Sequence, residues 1–379
     1  MEVVWTNARI VRADEIVSGS VQAANGVIRG VAAGACALAG AIDCEGDYLL
    51  PGLVDLHTDH LERHFTPRPG VDWDGFAAAI AHDAQIACAG ITTVFDSLAL
   101  IGGRRENDRH LTLAPMIDGV TRAQAAGVLR ADHRLHLRCE VVVEDIVERF
   151  SAFLDNPLLD FMSLMDHSPG QRQFPDLDSY RRAHISLLKL DPDEVEEIIA
   201  EQMEASRTYG PRNRRALAAI GRERGLPMAS HDDQTVEHVA ESAALGMQVA
   251  EFPTTLEAAQ ASRAHGMQII MGAPNLVRGG SHSGNVAAGT LAQHDLLDIL
   301  SSDYVPISMI QAAFRLAEAP YGFPLPKAVA TVSANPARAG RLEDRGRIEQ
   351  GLRADLIQVR LVESMPVVRA VWREGRRVA

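Results

Sequence analysis

The sequence predicts an α/β protein: a (β/α)8 barrel, with a small β-rich domain assembled from both ends of the chain. Three observations lead there. Eight strand-like runs recur at GLVDLH, GITTVFDSL, HRLHLRCEV, FMSLMDH, LPMASHD, QVAEFPT, QIIMGAPN and LDILSSD. Helix-like stretches lie between them, DEVEEIIAEQMEASRTYG and NRRALAAIGRERG among them, the second closing on glycine as helices commonly do. Polar residues gather at the ends of the strand-like runs, and no GxGxxG opens a helix after the first of them. That favours a closed barrel over an open doubly wound sheet.

The elements follow in order. The first fifty residues read as short strands and turns, VVWTNARIV, SGSVQAANGVIRGV and GDYLL, with Asn25-Gly26 as a hairpin signal between apolar runs. The end of the chain reads the same way, in GRIEQGLRADLIQVRLVES and PVVRAVWREGRRV. Two such pieces can share one sheet, because the termini of a central domain often lie close together. The expected division is residues 1–50 with 341–379 in the small domain and 51–340 in the barrel.

Composition narrows the partners. With 379 residues and a net charge of −13, the chain is a poor general binder of nucleic acid or anionic membranes. A phosphorylated small molecule is compatible where cations are concentrated locally. Cys36, Cys44, Cys88 and Cys139 form no CxxC, and the opening MEVVWTNARIVRADE lacks the basic-then-apolar plan of an export signal. The expected location is the reducing cytoplasm. The sequence does not choose between a monomer and a homo-oligomer.

Barrel active sites are built at the C-terminal ends of the strands. In LHTDHLERHFTPRP, alternation puts Asp55, His57 and Asp59 on one face and Val54, Leu56 and Thr58 on the other. The third strand repeats this, with His136, Arg138 and Glu140 sharing a face. Further strand ends bring Asp166-His167, His231-Asp232-Asp233, Glu251 and Asp303. His57, Asp59, Glu140, His167, His231 and Asp303 supply enough ligands for two divalent ions sharing a bridging carboxylate. Mixed nitrogen and oxygen donors suit zinc, manganese or iron. Each residue also has a plainer role: Glu140 as a partner of Arg138 or Arg134, Asp303 as a cap for the helix near Pro306. His60 and His64, four apart beyond the strand, share a face if that stretch is helical.

After the seventh strand, NLVRGGSHSGN forms a loop able to wrap an oxyanion. Gly279 and Gly280 allow close backbone approach, Ser281 and Ser283 offer hydroxyls, and Arg278 and His282 bring positive charge. Arg172, Arg63 and Arg68 lie in other loops of the same mouth. Arginines collected there in an acidic protein point to an anionic substrate.

At these residues the chain resembles the amidohydrolase superfamily, in GLVDLHTD, the closing aspartate of the eighth strand and NPARAGRLEDRGRIEQGLRADL. Nearly the whole chain is similar to the diphosphatase family of the carbon–phosphorus lyase pathway. FTPRPGVDW, HRLHLRCE, SLMDHSPGQRQF, ASHDD, AEFPTT, MGAPNLVRGGSHSGN and LSSDY carry that likeness. It implies an amidohydrolase-type barrel with a small β-sandwich. It also implies hydrolysis of α-D-ribose 1-methylphosphonate 5-triphosphate to the 5-phosphate and pyrophosphate. His57 and Asp59 match the first-strand metal pair, Glu140 the bridging carboxylate, and His167 and His231 the two later histidines. Asp303 matches the eighth-strand aspartate, which handles the proton of the attacking water. The departure from the superfamily at large is H-x-D in place of H-x-H, an anionic ligand where a neutral one is usual. Hydrolysis of a C–N bond is the alternative chemistry, and a barrel without catalysis the remaining one.

Overall fold

The computed structural model describes residues 2–102, 109–170, 172, 177–178, 180–181, 191–281 and 284–379. Five strands come first: β1 (Glu2–Val11), β2 (Ile16–Ala24), β3 (Val27–Ala33), β4 (Ile42–Asp43) and β5 (Tyr48–Pro51). The next four are β6 (Leu53–Thr58), β7 (Ile91–Leu100), β8 (Asp132–Glu140) and β9 (Leu159–Met165). They are followed by β10 (Met228–His231), β11 (Val249–Glu251), β12 (Gln268–Gly272) and β13 (Ile299–Ser301). The chain closes with β14 (Leu356–Val362), β15 (Met365–Arg373) and β16 (Arg376–Arg377). β6 to β13 hydrogen-bond in chain order, and Thr58 bridges Asp303 between the first strand and the last. The eight form the nearly closed parallel barrel that the sequence predicts, one strand to each of the eight runs.

Two compact units make up the chain: Met1–Asp96 with Pro115–Arg134 and Met271–Ala379, and Ser97–Ala114 with Leu135–Ile270. In the first unit both ends of the chain build one sheet in the order β16-β15-β14-β5-β1-β2-β3, with β4 on β1. The join is β5 against β14, where Leu49 faces Gln358. Asp47 fastens it, accepting from Gln358 Nε2 and Arg360 Nε, each at 2.7 Å. Trp5 and Trp372, one from each end of the chain, pack edge to face 5.6 Å apart. The Asn25-Gly26 hairpin forms with φ 53° and 79°, the paired left-handed geometry that such a turn requires.

In the second unit β8, β9, β10 and β11 run parallel, with one register shift between Leu135 and His136. The two helical stretches expected after β9 are one helix, Pro192–Arg224, which continues through Pro211 and ends at Gly225 with φ 68°. A proline inside a helix costs about 3 kcal/mol. Anchors just beyond it offset that cost: Asn213 donates to the Val141 and Val143 carbonyls at 2.9 and 2.8 Å. The helix lies close on the sheet at Gly221, where a Cβ would come 2.5 Å from the Met228 sulfur. No described helix is long and apolar enough to cross a membrane.

Candidate active site

In the first unit, the ends of β6 and β13 are tied through the backbone. The Asp303 N–H donates to the His57 carbonyl, and the Asp59 N–H to the Asp303 carbonyl, both at 3.0 Å. Thr58 Oγ1 donates to the same Asp303 carbonyl at 3.1 Å. These bonds hold Asp303 at φ 55°, a left-handed conformation that costs a residue with a side chain. His57, Asp59 and Asp303 are thereby brought together. Asp303 does not cap the following helix, Ser308–Ala317, which starts from Ile307 with no side-chain cap. Beneath them Asp55 is fully buried, its Oδ1 accepting from the Ser302 and His57 N–H groups at 3.0 and 3.3 Å. Burial pushes the Asp55 carboxyl up to about 7.

In the second unit, Glu140 closes β8, His167 follows β9 and His231 closes β10. Glu140 accepts from the His167 N–H at 3.1 Å and meets His167 Nδ1 at 2.6 Å. His231 Nδ1 is 2.9 Å from Asp232 Oδ2, and His167 Nε2 is 3.7 Å from that same oxygen. Burial opposes a charge on His167, but Glu140 and Asp232 outweigh it and lift the imidazole to about 10. Burial opposes ionised Asp232 too, yet His231 and His167 hold its carboxyl below the usual range. Asp166, the neighbour of His167, is structural: it accepts from Arg214 at 2.6 Å and from Ser206 at 3.0 Å. Asp232 and Phe252 follow their strands at φ 56° and 55°. Their N–H groups donate to the Glu251 and Ile270 carbonyls on the neighbouring strands, as Asp303 does to His57.

The second-unit group fits a divalent cation. His167, His231 and Asp232 each offer a ligand atom within 4.8 Å of the others, and Glu140 adds a second carboxylate. Arg138 already turns an amino group toward His231 Nε2 at 3.4 Å, so positive charge is drawn to this spot. The donor set is mixed nitrogen and oxygen, as the sequence reading expects of a divalent-metal site.

The cations expected at the mouth divide. Arg63, on the short helix Leu61–Phe65, lies 5.9 Å from the centre of the Tyr304 ring. Arg278, last residue of the helix Ala273–Arg278, reaches the Tyr304 hydroxyl at 3.4 Å. Both exposed arginines thus meet the residue next to Asp303. Arg68 is exposed in the turn that follows Phe65. Gly279 ends its helix at φ 84°, the Gly280 N–H returns to the Asn275 carbonyl at 2.9 Å, and Ser281 follows, partly exposed. His282 and Ser283 lie outside the described residues. Arg172 is placed differently: it is 3% exposed and ion-paired with Asp233, behind the His231 carbonyl. Its charge is engaged inside the protein.

A further polar chain lies wholly in the first unit. His60 Nδ1 is 3.1 Å from His82 Nδ1, and the His60 and His64 rings are 4.9 Å apart, sharing a face as their spacing predicts. His82 Nε2 meets Asp96 at 2.8 Å, Asp96 meets His133 at 2.8 Å, and His133 reaches Asp83 at 3.3 Å.

With this geometry in hand, comparison with known proteins places the chain. The model of the amidohydrolase family matches residues 40–379. The chain belongs to the amidohydrolase family. An Escherichia coli (strain K12) relative, alpha-D-ribose 1-methylphosphonate 5-triphosphate diphosphatase, is 48% identical over 98% of this chain and 99% of its own length. Among solved structures, N-acetylglucosamine-6-phosphate deacetylase from Pasteurella multocida aligns over 100% of this chain and 99% of its own, at TM-score 0.63 and 12% identity. The Mycobacterium smegmatis N-acetyl-D-glucosamine-6-phosphate deacetylase covers 100% of both chains at TM-score 0.63 and 18% identity. Those likenesses speak for the fold alone. Amidohydrolases generally work with divalent metals, and this chain carries histidine–carboxylate groups of the kind that hold them.

Within this amidohydrolase, sequence reading singles out Asp232 as a strand-end acid but leaves it outside the ligand set. It misses His82, Asp83, Asp96 and His133 altogether. A signal for them exists: a His-Asp pair inside the Ala-rich helix GFAAAIAHDAQIAC, and a lone Asp in the apolar run ITTVFDSL.

Proposed function

We propose that the chain hydrolyses α-D-ribose 1-methylphosphonate 5-triphosphate to α-D-ribose 1-methylphosphonate 5-phosphate and pyrophosphate. The observation that carries this is 48% identity, running nearly end to end, with a diphosphatase of that name. The chain is then a hydrolase of a phosphoric anhydride in phosphonate metabolism. The free cysteines are in keeping with the cytoplasm as its location. The proposed division keeps residues 1–50 with 341–379 as the small domain and 51–340 as the catalytic barrel.

His57, Asp59, Glu140, His167, His231 and Asp303 are assigned to a centre for two divalent ions, drawn from zinc, manganese and iron, with Asp232 as a further carboxylate. When bound, such metals supply Lewis-acid polarisation of the phosphoryl group and activation of water. The rest of the work falls to side chains. Asp303 takes the proton of the water that attacks the phosphorus nearest the ribose, and returns it to a leaving oxygen. The new bond joins that water oxygen to this phosphorus, and the anhydride bond to the second phosphorus breaks. Arg63 and Arg278, beside Tyr304, meet the charge that develops on the phosphates, with Arg68 and the Gly279–Gly280–Ser281 turn extending the cradle. His282 and Ser283, outside the described residues, are assigned the same role from the sequence alone. Arg172 serves this centre indirectly, donating to the His231 carbonyl while it pairs with Asp233.

Phosphorus NMR on the purified chain with this triphosphate and manganese tests the reading. Pyrophosphate is the expected product, and heavy oxygen from labelled water enters the sugar phosphate. Orthophosphate alone, or turnover of N-acyl sugars in place of the triphosphate, overturns it.

A further inference from the structure

We propose that His60, His64 and His82 form a second metal site, separate from the barrel-mouth ligands, which takes a zinc-like divalent cation. The three residues each offer a ring nitrogen within 4.8 Å of the others. Nitrogens bound about 2.0–2.1 Å from one tetrahedral zinc lie roughly 3.3 Å apart. His60 Nδ1 and His82 Nδ1 already stand at 3.1 Å.

The surrounding groups settle which nitrogens are presented. Asp96 only accepts when ionised, so the His82 nitrogen facing it at 2.8 Å, Nε2, carries the proton. The lone pair of His82 therefore sits on Nδ1 and points at His60. Asp96 is itself held by His133 at 2.8 Å, and His133 by Asp83 at 3.3 Å. Metal-bound histidines are typically supported in this way, by a carboxylate on the ring nitrogen away from the ion. The third ring, that of His64, lies beside Gln85, and its buried Nε2 makes no hydrogen bond. A buried ring nitrogen without a partner is left desolvated and unpaired, which a bound cation would remedy. Cation binding asks only that His60 move its proton from Nδ1 to Nε2, with no net change in charge on the rings. Three neutral nitrogens favour zinc, and admit cobalt, over calcium or magnesium.

The ligands come from two short-range elements. His60 precedes the helix Leu61–Phe65 and His64 stands in its last turn, just after the His57–Asp59 strand end, while His82 stands on the helix Gly75–Cys88. A cation here clips the two helices together and fixes the turn between them, which carries Arg68. The proposal does not depend on the identity of the substrate.

Metal content and cobalt spectra of the full chain test it. Chelator-treated protein is reloaded with zinc or cobalt and compared with His64→Gln, His64→Cys and Glu140→Ala. His64→Gln should lose one equivalent of metal relative to the wild type. Glu140→Ala should retain the visible absorption of a four-coordinate cobalt site with nitrogen ligands. His64→Cys should regain the metal and add a sulfur-to-cobalt charge-transfer band. That band decides the matter even where His64→Gln folds poorly. Unchanged metal content in His64→Gln, or no new band in His64→Cys, overturns the site and leaves a hydrogen-bonded histidine chain.

Discussion

Two groups of buried histidines and carboxylates, one in each compact unit, handle the same chemistry in opposite ways. In the first unit, from the Nε2 side of His82 through Asp96 and His133 to Asp83, donors and acceptors form a closed ledger. Each carboxylate has a histidine against it, and Asp83 also accepts from the Arg130 and Ala131 N–H groups at 2.8 Å. In the second unit, Glu140 and Asp232 crowd two imidazoles at strand ends, and His167 remains 28% exposed. Satisfied polar groups in the interior give rigidity, whereas carboxylates and imidazoles left at an open strand end suit a cation from outside. Residue types alone do not separate the two groups; position along the strand does.

The sharpest break between catalytic and structural carboxylates is Asp303→Asn. Turnover should fall by roughly 10²- to 10⁴-fold, as for the loss of a general acid–base group, with the thermal midpoint unchanged. Phosphorus NMR rates and a melting curve check both halves. Next comes Asp96→Asn, which leaves His133 facing Asp83 alone and should cost about 3–5 kcal/mol in urea unfolding. The same exchange at Asp232 should cost about 1 kcal/mol or less and appear as weaker metal binding. An equal loss of stability at both positions would erase the contrast.

A smaller effect follows pH. Burial alone would raise Asp132, but Arg345, with Arg134 and Arg353, outweighs it and holds the carboxyl at about 2. Arg345 sits 2.5 Å away and is itself buried. Because the folded value lies below the unfolded value of about 3.9, the contribution is full above that pH and fades as pH falls toward 2. Asp132→Asn should thus remove about 2 kcal/mol at neutral pH and flatten the acid limb of the stability curve between about pH 4 and 2. The smallest expected change is Arg63→Ala or Arg278→Ala. Each should raise KM about tenfold, in line with one exposed charge-assisted contact of about 1.4 kcal/mol, with little change in stability.

Much of this was legible in advance, for identifiable reasons. The eight barrel strands announce themselves because each ends on polar residues after an apolar run. Asn25-Gly26 marks its hairpin because only a few residue pairs accept that backbone. The strand-end positions of His57, Glu140, His231 and Asp303 follow from counting along the chain. Other features depend on packing. Asp96 looks like one more residue of an apolar strand until the helix bearing His82 lies against it. Arg172 reads as a loop cation, since nothing local reveals that Asp233 will meet it in the interior. Pro211 reads as a helix end, because the anchors at Asn213 that carry the helix past it reach carbonyls far away in sequence.

The left-handed residues that follow three of the barrel strands bear on how any variant of this protein should be interpreted. Asp232, Phe252 and Asp303 pair a conformation suited to glycine or asparagine with side chains that matter. Alanine there reports two losses at once, the functional group and about 1 kcal/mol of backbone comfort, so only asparagine isolates the carboxylate at 232 or 303. In a saturation library, valine and isoleucine should be the worst tolerated at all three positions. Glycine should preserve folding at each, and its loss of activity at 303 would be free of the left-handed penalty that alanine carries.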